Sequence, residues 1–355
     1  MMRLALICPS NRLYMPYVKN YEHILLEQKI DYDIINWDRF HMEGIDNNTY
    51  RDRKTGHQRS FFDYAGYKRF IVERLKRQSY DKVIVFGLQL TFFLRDILLE
   101  GFKGNFIVDV RDYNKILRFL DMDKIIAFSN HVVLSSSGYK IWLPESDKYA
   151  INHNTQITSI TEMGPAQNIT GKEKICLNTI GATRDLKINK KLLYKLRNND
   201  GFQLNYYGEG EINGQLEKYI KENHIYNVSV TGRYYAEEEA LFYKNSDLVN
   251  VFRLNDSINN RTALPNRLYN AALYGKPLIT LKGSYLAEQI SFYQLGLTAD
   301  TLDNIDQVIN DYVKNFDLAA YQKGRTAFFS KVLEENAIFK NRLIEFLCRQ
   351  YSQQH

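Results

Sequence analysis

Glycine and arginine follow an apolar run in the second half of the chain, where they could bind phosphate. Gly181 and Arg184 come directly after residues 175–180, with Lys187 close behind. A glycine lets the backbone approach an anion, and a guanidinium donates paired hydrogen bonds to it. This combination predicts a site that neutralises a diphosphate.

Three more apolar runs of the same half end in similar loops or in a helix start. Their candidate ligand-binding residues are Gly208, Gly210, Arg233, Tyr234, Asn266 and Arg267. Pro265 and Asn266 are typical of a helix start, where the asparagine side chain can accept a hydrogen bond from a free backbone amide. Gly275 is typical of a helix end. The positive end of a helix attracts phosphate. Four such loops on one edge of a sheet predict a nucleoside diphosphate site.

Apolar strands alternate with helical patterns along the whole chain, which predicts parallel sheets covered on both faces. The predicted strands are 4–8, 32–36, 82–87, 106–110, 131–135, 175–181, 202–208, 228–232, 247–252 and 278–281. The fold class is therefore α/β, with two doubly wound, Rossmann-like domains facing across a cleft. We expect an N-terminal acceptor-side domain over 1–155, a nucleotide-sugar domain over 156–330, and a C-terminal helix over 331–355 that could pack back on the first domain.

Cysteine content and apolar run lengths favour a cytoplasmic protein. The three cysteines are far apart, which favours reduced thiols over a disulfide framework. The first apolar run is too short for a signal peptide, and the longest, residues 83–94, is too short to span a membrane.

Most of the excess positive charge lies in residues 50–77, which hold nine Lys or Arg against three acids. One interpretation is a solvated helix face. The other is a patch that rests on an anionic membrane, which would place the protein at the inner face of the cell membrane. Nucleic acid is not expected as a partner, because no groove-reading motif is present.

These loops together resemble the retaining nucleotide-sugar glycosyltransferases of family 4, which have the GT-B fold. The matching stretches are 180–184, 204–210, 228–232 and 264–279, with a looser match over 134–154. The resemblance implies that Leu264 and Asn270 also contact the donor. The resemblance implies a nucleotide-diphosphate sugar as donor, no required cofactor or metal, and a glycan acceptor, which we expect to be lipid-linked, in surface polysaccharide or capsule biosynthesis.

The sequence departs from the family at one pair of positions. Two glutamates separated by seven residues are common in the family, and here Thr262 and Asn270 stand in their places. The resemblance implies that Asn270 contacts the ribose hydroxyls, without the strength of a carboxylate.

The implied reaction separates a nucleoside diphosphate from the sugar, with Arg184, Lys187 and Arg267 stabilising the charge that develops on the phosphate. On the acceptor side, the candidates are Asn11, Arg12, Asp109, Arg111 and Asp112, of which Asp112 or Asp109 would orient the acceptor. An ordinary salt bridge at a strand end remains the alternative for these residues.

His131 and His153 are predicted to be structural. Asp121 and Asp123 have the spacing of a metal-binding pair, but their predicted position within a helix argues against that role.

Two other functions remain open from the sequence. A nucleotide-sugar epimerase of the same fold would convert the donor without an acceptor. A non-catalytic nucleotide-binding or sugar-binding protein is the other alternative, because of Asn270.

Overall fold

A computed structural model describes residues 2–349 and divides them into two compact units. Unit 1 contains the residues up to Gln156 and those from Glu334 onward, and unit 2 contains Ile157–Leu333. The last six residues of the predicted C-terminal helix lie outside the described part of the chain.

Unit 1 is built on a seven-stranded sheet in which all neighbouring strands are parallel. The strands are β1 (Arg3–Cys8), β2 (Asp31–Trp37), β3 (Thr49–Tyr50), β4 (Lys82–Phe86), β5 (Phe106–Val110), β6 (His131–Leu134) and β7 (Tyr149–Ile151), in the order β3-β2-β1-β4-β5-β6-β7. The helices are α1 (Val18–Glu27), α2 (Phe61–Arg77), α3 (Leu88–Gly101) and α4 (Met122–Phe128). Strands β4, β5 and β6 are buried along their whole length, as expected for a sheet covered on both faces.

Unit 2 is built on a second parallel sheet, of six strands. The strands are β8 (Ile175–Ile180), β9 (Phe202–Tyr207), β10 (Val228–Gly232), β11 (Leu248–Asn250), β12 (Leu278–Leu281) and β13 (Gly296–Ala299), in the order β10-β9-β8-β11-β12-β13. The helices are α5 (Leu186–Leu196), α6 (Asn213–Glu222), α7 (Glu239–Lys244), α8 (Ile258–Thr262), α9 (Asn266–Leu273), α10 (Tyr285–Phe292) and α11 (Ile305–Lys314). The last helix, α12 (Leu318–Cys348), contains residues of both units.

The predicted α/β fold class is confirmed, with two doubly wound parallel sheets. Three short strands were not predicted: β3, β7 and β13 have only two to four residues, too few for a clear apolar pattern. The polar stretch 255–262, predicted as a loop, contains α8, whose N-cap Ser257 accepts from the Asn260 amide. No helix within residues 2–349 is both long and apolar enough to cross a membrane.

Candidate functional site

A recess opens in unit 2, where β8 and β11 end. Its lining residues are Thr179, Ala182, Arg184, Asp185, Asn189, Asn250, Phe252, Arg253 and Arg267. The two strand ends are tied together, because Asn250 Nδ2 donates to Thr179 Oγ1 at 2.8 Å. The strand order reverses at β8, which lies between β9 and β11. Loops diverge at such a point, and open α/β sheets bind their ligands there.

Three glycines shape the loops beside this recess. Gly181 has a φ of +88°, a backbone conformation that glycine adopts without strain. A Cβ on Gly208 would lie 2.1 Å from the Gly181 carbonyl oxygen, and one on Gly210 would lie 2.1 Å from the Thr183 oxygen. The loop after β9 therefore packs its backbone directly on the loop after β8. The structure gives Gly208 and Gly210 this packing role, and their contact with a ligand stays a prediction.

Arg267 extends from the first turn of α9 into the recess. Its Nε donates to the Ile180 oxygen, while the two terminal nitrogens donate to Ala182 O at 2.5 Å and Asn250 O at 3.4 Å. No carboxylate within the described residues forms an ion pair with it. Burial, aided by the nearby Arg253 and Arg184, lowers the pKa of Arg267 to about 10. The guanidinium is thus still charged at pH 7, and neutral carbonyls hold it in place.

Two more arginines and one aspartate complete the charged lining. Arg184 is exposed and Arg253 is half-buried. Burial raises the pKa of Asp185, although the nearby arginines act in the opposite direction. With Arg267, the lining carries three formal positive charges against one negative. The recess is therefore suited to an anion.

Two helices begin at this recess without a side-chain cap. Helix α5 follows Asp185, which is left-handed with a φ of +60°, and Asn189 Nδ2 fixes the turn by donating to Arg184 O at 2.7 Å. Helix α9 follows Pro265, its N-cap. The expected capping role of Asn266 is wrong, because Asn266 is the first helical residue and its side chain is exposed. Uncapped first-turn amides are available to bind an anion.

Aromatic rings stand beside the glycine loop. The rings of Tyr207 and Phe242 stack at 4.0 Å, and Tyr234 packs edge-on against Phe242 at 5.1 Å. A Cβ on Gly181 would lie 4.0 Å from the Tyr234 hydroxyl, so Tyr234 borders the recess. Burial raises the pKa of this hydroxyl to about 12, so it stays protonated as a donor at neutral pH.

Asn270 lies one turn after Arg267 on α9, and its Nδ2 donates to Glu239 Oε1 at 2.9 Å. Burial raises the pKa of Glu239, while the bond from Asn270 acts to lower it. The position that lacks a glutamate is thus in contact with a glutamate from α7.

Of the residues predicted to bind the donor, only Arg184 and Arg267 are among the lining residues given above. Lys187 is exposed on α5, and Arg233 is exposed after β10. Leu264 is buried in the apolar core with Leu268 and Tyr269, which gives it a packing role.

The candidate acceptor residues of unit 1 are mostly engaged in structural contacts. Arg111 forms a two-pronged pair with Asp109, at 2.5 and 2.6 Å, and Tyr21 also donates to Asp109. Arg111 and Asp109 therefore form a structural salt bridge at a strand end, which is the alternative that the sequence left open. Asp112 is the next residue, and it is exposed.

Asn11 and Arg12 are likewise held by their neighbours. Asn11 donates to Asp38 at 2.5 Å and accepts from the Arg39 amide at 2.9 Å. Arg12 pairs with Glu22 at 2.8 Å. Asn11 is buried, so its contacts position the loop that follows β1.

The two histidines and the acidic pair also have structural surroundings. His153 Nε2 lies 2.7 Å from Glu335, and burial lowers the pKa of His131 to about 3. Asp121 is the N-cap of α4 and accepts from the Lys124 amide at 3.0 Å. Within residues 2–349, no cluster of three or more His, Cys, Asp or Glu could hold a metal ion.

Sequence reasoning missed several residues of the recess and its border. Arg253 follows an apolar run just as Arg184 does, so the same signal could have identified it. Asp185 lines the recess because of the left-handed turn that starts α5, and the sequence gives no signal for that turn. Glu239 belongs to a run of three glutamates, and nothing in the sequence distinguishes it from Glu237 or Glu238.

Comparison with known proteins finds similarity in structure alone. No family model and no curated protein matches the sequence. Sucrose-phosphate synthase from Thermosynechococcus elongatus is similar with a TM-score of 0.71 and 13% identity, over 98% of this chain and 99% of that one. The lipopolysaccharide outer core galactosyltransferase WaaB gives a TM-score of 0.65 and 16% identity, over 97% and 99%.

HepE of Anabaena, in complex with UDP and glucose, gives a TM-score of 0.65 and 12% identity, over 97% of this chain and 100% of that one. Similarity at such low identity is evidence of a shared fold. The chain has the GT-B fold of these glycosyltransferases.

Proposed function

We propose that this protein is a glycosyltransferase whose unit 2 binds the diphosphate of a nucleotide sugar in the recess between the ends of β8 and β11. The observation that carries the proposal is Arg267, a half-buried cation whose hydrogen bonds within residues 2–349 all go to backbone carbonyls. Since no carboxylate in that part of the chain pairs with it, its charge is available to an anionic ligand. The structural neighbour HepE, which is described in complex with UDP, supports this class of ligand.

The chemistry follows from the charge that develops as the sugar is transferred. When the bond between the anomeric carbon and the phosphate oxygen breaks, negative charge grows on the diphosphate. In this proposal Arg184 and Arg267, which line the recess, stabilise this charge together with the amides that begin α5 and α9. Lys187, exposed on α5, could add a cation at the rim. The sugar meanwhile becomes oxocarbenium-like, and the acceptor hydroxyl attacks it.

The test is donor-dependent transfer by the full-length chain. We expect wild type to release nucleoside diphosphate from a nucleotide sugar when an acceptor is present, and the double variant R184A/R267A to lose this activity. R197A is the matched control, because Arg197 is an exposed arginine at the other end of α5. Unchanged transfer by R184A/R267A would overturn the site, and conversion of the sugar without acceptor would favour the epimerase.

We infer further that the transfer retains the anomeric configuration and that the acceptor is a lipid-linked glycan in surface polysaccharide biosynthesis. The family resemblance supports retention, and the likeness to WaaB supports a glycan acceptor. Asp112 is the residue we expect to orient the acceptor. D112N should lower kcat and leave donor affinity unchanged. NMR of the product would give the anomer, and inversion would contradict the proposal.

We also propose that residues 50–77 contact an anionic membrane, although fewer of their cations are available for this contact than the sequence suggested. Four of the nine cations are paired internally: Arg51 with Asp38, Lys54 with Asp63, Arg59 with Asp52, and Lys68 with Asp96. Arg69, Lys76 and Arg77 are exposed at helical spacing on α2, and Phe62 is 82% exposed near its start.

Vesicles containing anionic lipid test this contact at low salt. Changing Arg69, Lys76 and Arg77 to serine should weaken binding by about 100-fold, since each cation near the surface contributes roughly 1 kcal/mol. The matched control is the triple change of Lys218, Lys221 and Arg197 to serine, which removes three exposed cations of unit 2. Wild-type protein that stays in the supernatant would contradict the membrane contact.

A further inference from the structure

Glu239 is a half-buried carboxylate that the diphosphate site does not explain. Asn270 donates to its Oε1, and no cation pairs with it within the described residues. Its neighbour Glu238 differs, because that carboxylate accepts from the Tyr235 amide and completes a local turn. Burial of a carboxylate costs free energy unless hydrogen bonds offset it. One bond from a neutral amide leaves most of the acceptor capacity of Glu239 unused.

The position of Glu239 relative to the recess is fixed through Asn270. Asn270 follows Asn266 by four residues and Arg267 by three on α9, so it lies on the same side of the helix, one turn or about 5 Å further along. The Asn270 amide holds Glu239 there. A diphosphate bound at Arg267 would thus have this carboxylate one helical turn away.

The chemistry of a carboxylate decides what it can bind at this place. Glu239 repels phosphate oxygens and accepts hydrogen bonds from O–H and N–H donors. The donors that a nucleotide sugar offers next to its diphosphate are hydroxyl groups, either of the ribose or of the sugar. A carboxylate accepts from two neighbouring hydroxyls at once, and bonds to a charged group are the stronger kind.

We propose that Glu239 is the specificity-determining acceptor for a pair of hydroxyls of the bound nucleotide sugar, and that Asn270 is the positioning residue that holds it. This inference rests on the proposed donor site. The neutral side chain of Asn270 on α9 is thus joined to a carboxylate from α7.

The test measures binding to the full-length protein by calorimetry, with UDP, ADP and GDP in their ribo and 2′-deoxyribo forms, and with UDP-glucose. Wild type should bind the ribo form of its preferred diphosphate about tenfold more tightly than the deoxy form. E239Q should reduce this ratio to about one, and E237Q, which changes an exposed glutamate two residues away, should keep it. N270A should reduce the ratio partly, because Glu239 stays but loses its holding contact.

A rescue variant separates this role from general damage to the fold. In E239Q/N270E the carboxylate stands on α9 instead of α7, and the ribo preference should return. A second ratio compares the affinity for UDP-glucose with the affinity for UDP. If E239Q keeps the ribo preference but loses the tighter binding of UDP-glucose, Glu239 accepts from hydroxyls of the sugar and not of the ribose. Its proposed role as a hydroxyl acceptor is then supported. If E239Q changes neither ratio, the inference is overturned.

Failure of the donor site gives a different result from failure of this inference. If wild type binds none of these nucleotides, the proposed donor site falls and the role of Glu239 falls with it. If wild type binds them and R267A does not, the donor site is supported. The ribo-to-deoxyribo ratio and the UDP-glucose-to-UDP ratio of E239Q then test the role of Glu239 alone.

Discussion

Arginines at the strand ends of the two units are held in opposite ways. In unit 1, Arg111 after β5 pairs with the buried Asp109, and Arg51 after β3 pairs with Asp38. In unit 2, Arg267 reaches the ends of β8 and β11, and its hydrogen bonds in the described part of the chain all go to backbone carbonyls. The topology is similar in both units, and so is the residue type. The difference lies in whether the protein supplies the negative charge or leaves that to a ligand.

This difference separates structural from ligand-binding arginines. A buried ion pair is costly to break, because removal of one partner leaves the other charge buried and uncompensated. A desolvated cation without a carboxylate contributes little to stability, since neutral carbonyls only partly replace its hydration. The energetic consequences of mutation should therefore be opposite in the two units.

The largest expected effect is the loss of stability when Arg111 is replaced. R111L leaves Asp109 buried without its cation, and we expect unit 1 to lose about 3–5 kcal/mol of unfolding free energy. Urea unfolding followed by tryptophan fluorescence measures this. Trp37 and Trp142 are the only tryptophans, and both lie in unit 1.

Two controls make this result specific. R12A breaks the pair with Glu22, in which the arginine side chain is 52% exposed, and should cost less than about 1 kcal/mol. R111L/D109N removes both charges and should recover part of the lost stability. If R111L unfolded at the wild-type urea concentration, the structural role of this pair would be refuted.

Replacement of Arg267 should reduce binding and leave stability intact. R267M removes a desolvated cation that lacks a carboxylate, so the melting temperature should stay the same or rise. Affinity for a nucleoside diphosphate should fall by about 10- to 100-fold, the equivalent of one hydrogen bond to a charged group. Calorimetric melting and a binding titration on the same samples measure both, and R197M is the control. A large drop in melting temperature would show that Arg267 holds the fold together.

A pH dependence of stability should appear in unit 1 and depend on Asp38. Burial alone would raise the pKa of Asp38, but hydrogen bonds from Asn11, the Met42 amide and Arg51 lower it to about 2. A carboxyl whose pKa is lowered in the folded state stabilises the protein above its unfolded pKa, near 4. This contribution is lost as the pH falls from about 4 to about 2.

Acid unfolding of wild type and D38N, followed by tryptophan fluorescence, isolates this contribution. D38N should be less stable at neutral pH, and the difference should shrink as the pH falls through this window. A difference that stayed constant from pH 6 to pH 2 would contradict the lowered pKa.

The smallest expected effect is a pH dependence of hydroxyl recognition in unit 2. Burial raises the pKa of Glu239, so its protonation on acidification begins at a higher pH than for an exposed glutamate. The titratable groups near it are the guanidinium of Arg267, which is charged, and the phenols of Tyr234, Tyr243 and Tyr274, which are neutral at these pH values. The preference for ribo over deoxy nucleotides should decline as the pH is lowered, and E239Q should show no such decline. An equal decline of this preference in wild type and E239Q would show that a group other than Glu239 titrates.

The sequence was sufficient for the fold class and for placing Arg184 and Arg267 at one recess, because a strand followed by glycine and arginine and a helix that starts after proline are local patterns. Their binding roles stay predictions. The sequence could not separate Arg111 from Arg267, since only the tertiary structure decides whether a carboxylate lies beside an arginine. Gly208 and Gly210 show the same limit. Their spacing indicated a phosphate loop, yet their missing Cβ atoms allow one loop to pack on another.

Long-range contacts account for the residues that sequence reasoning missed. Glu239 meets Asn270 across 31 positions of the chain, so no local pattern connects them. The three adjacent glutamates of 237–239 differ only in where the turn before α7 directs them. Arg253 is the exception, because it follows an apolar run and the rule that identified Arg184 applies to it as well.

The most direct test of the central claim is a calorimetric titration of wild type, R267A and R197A with UDP, ADP and GDP. If the recess in unit 2 binds a diphosphate through Arg267, wild type and R197A will bind at least one of these ligands with similar affinity, and R267A will bind it at least about tenfold more weakly. Equal affinity for wild type and R267A, or no binding of any of the three diphosphates to wild type, would contradict the claim.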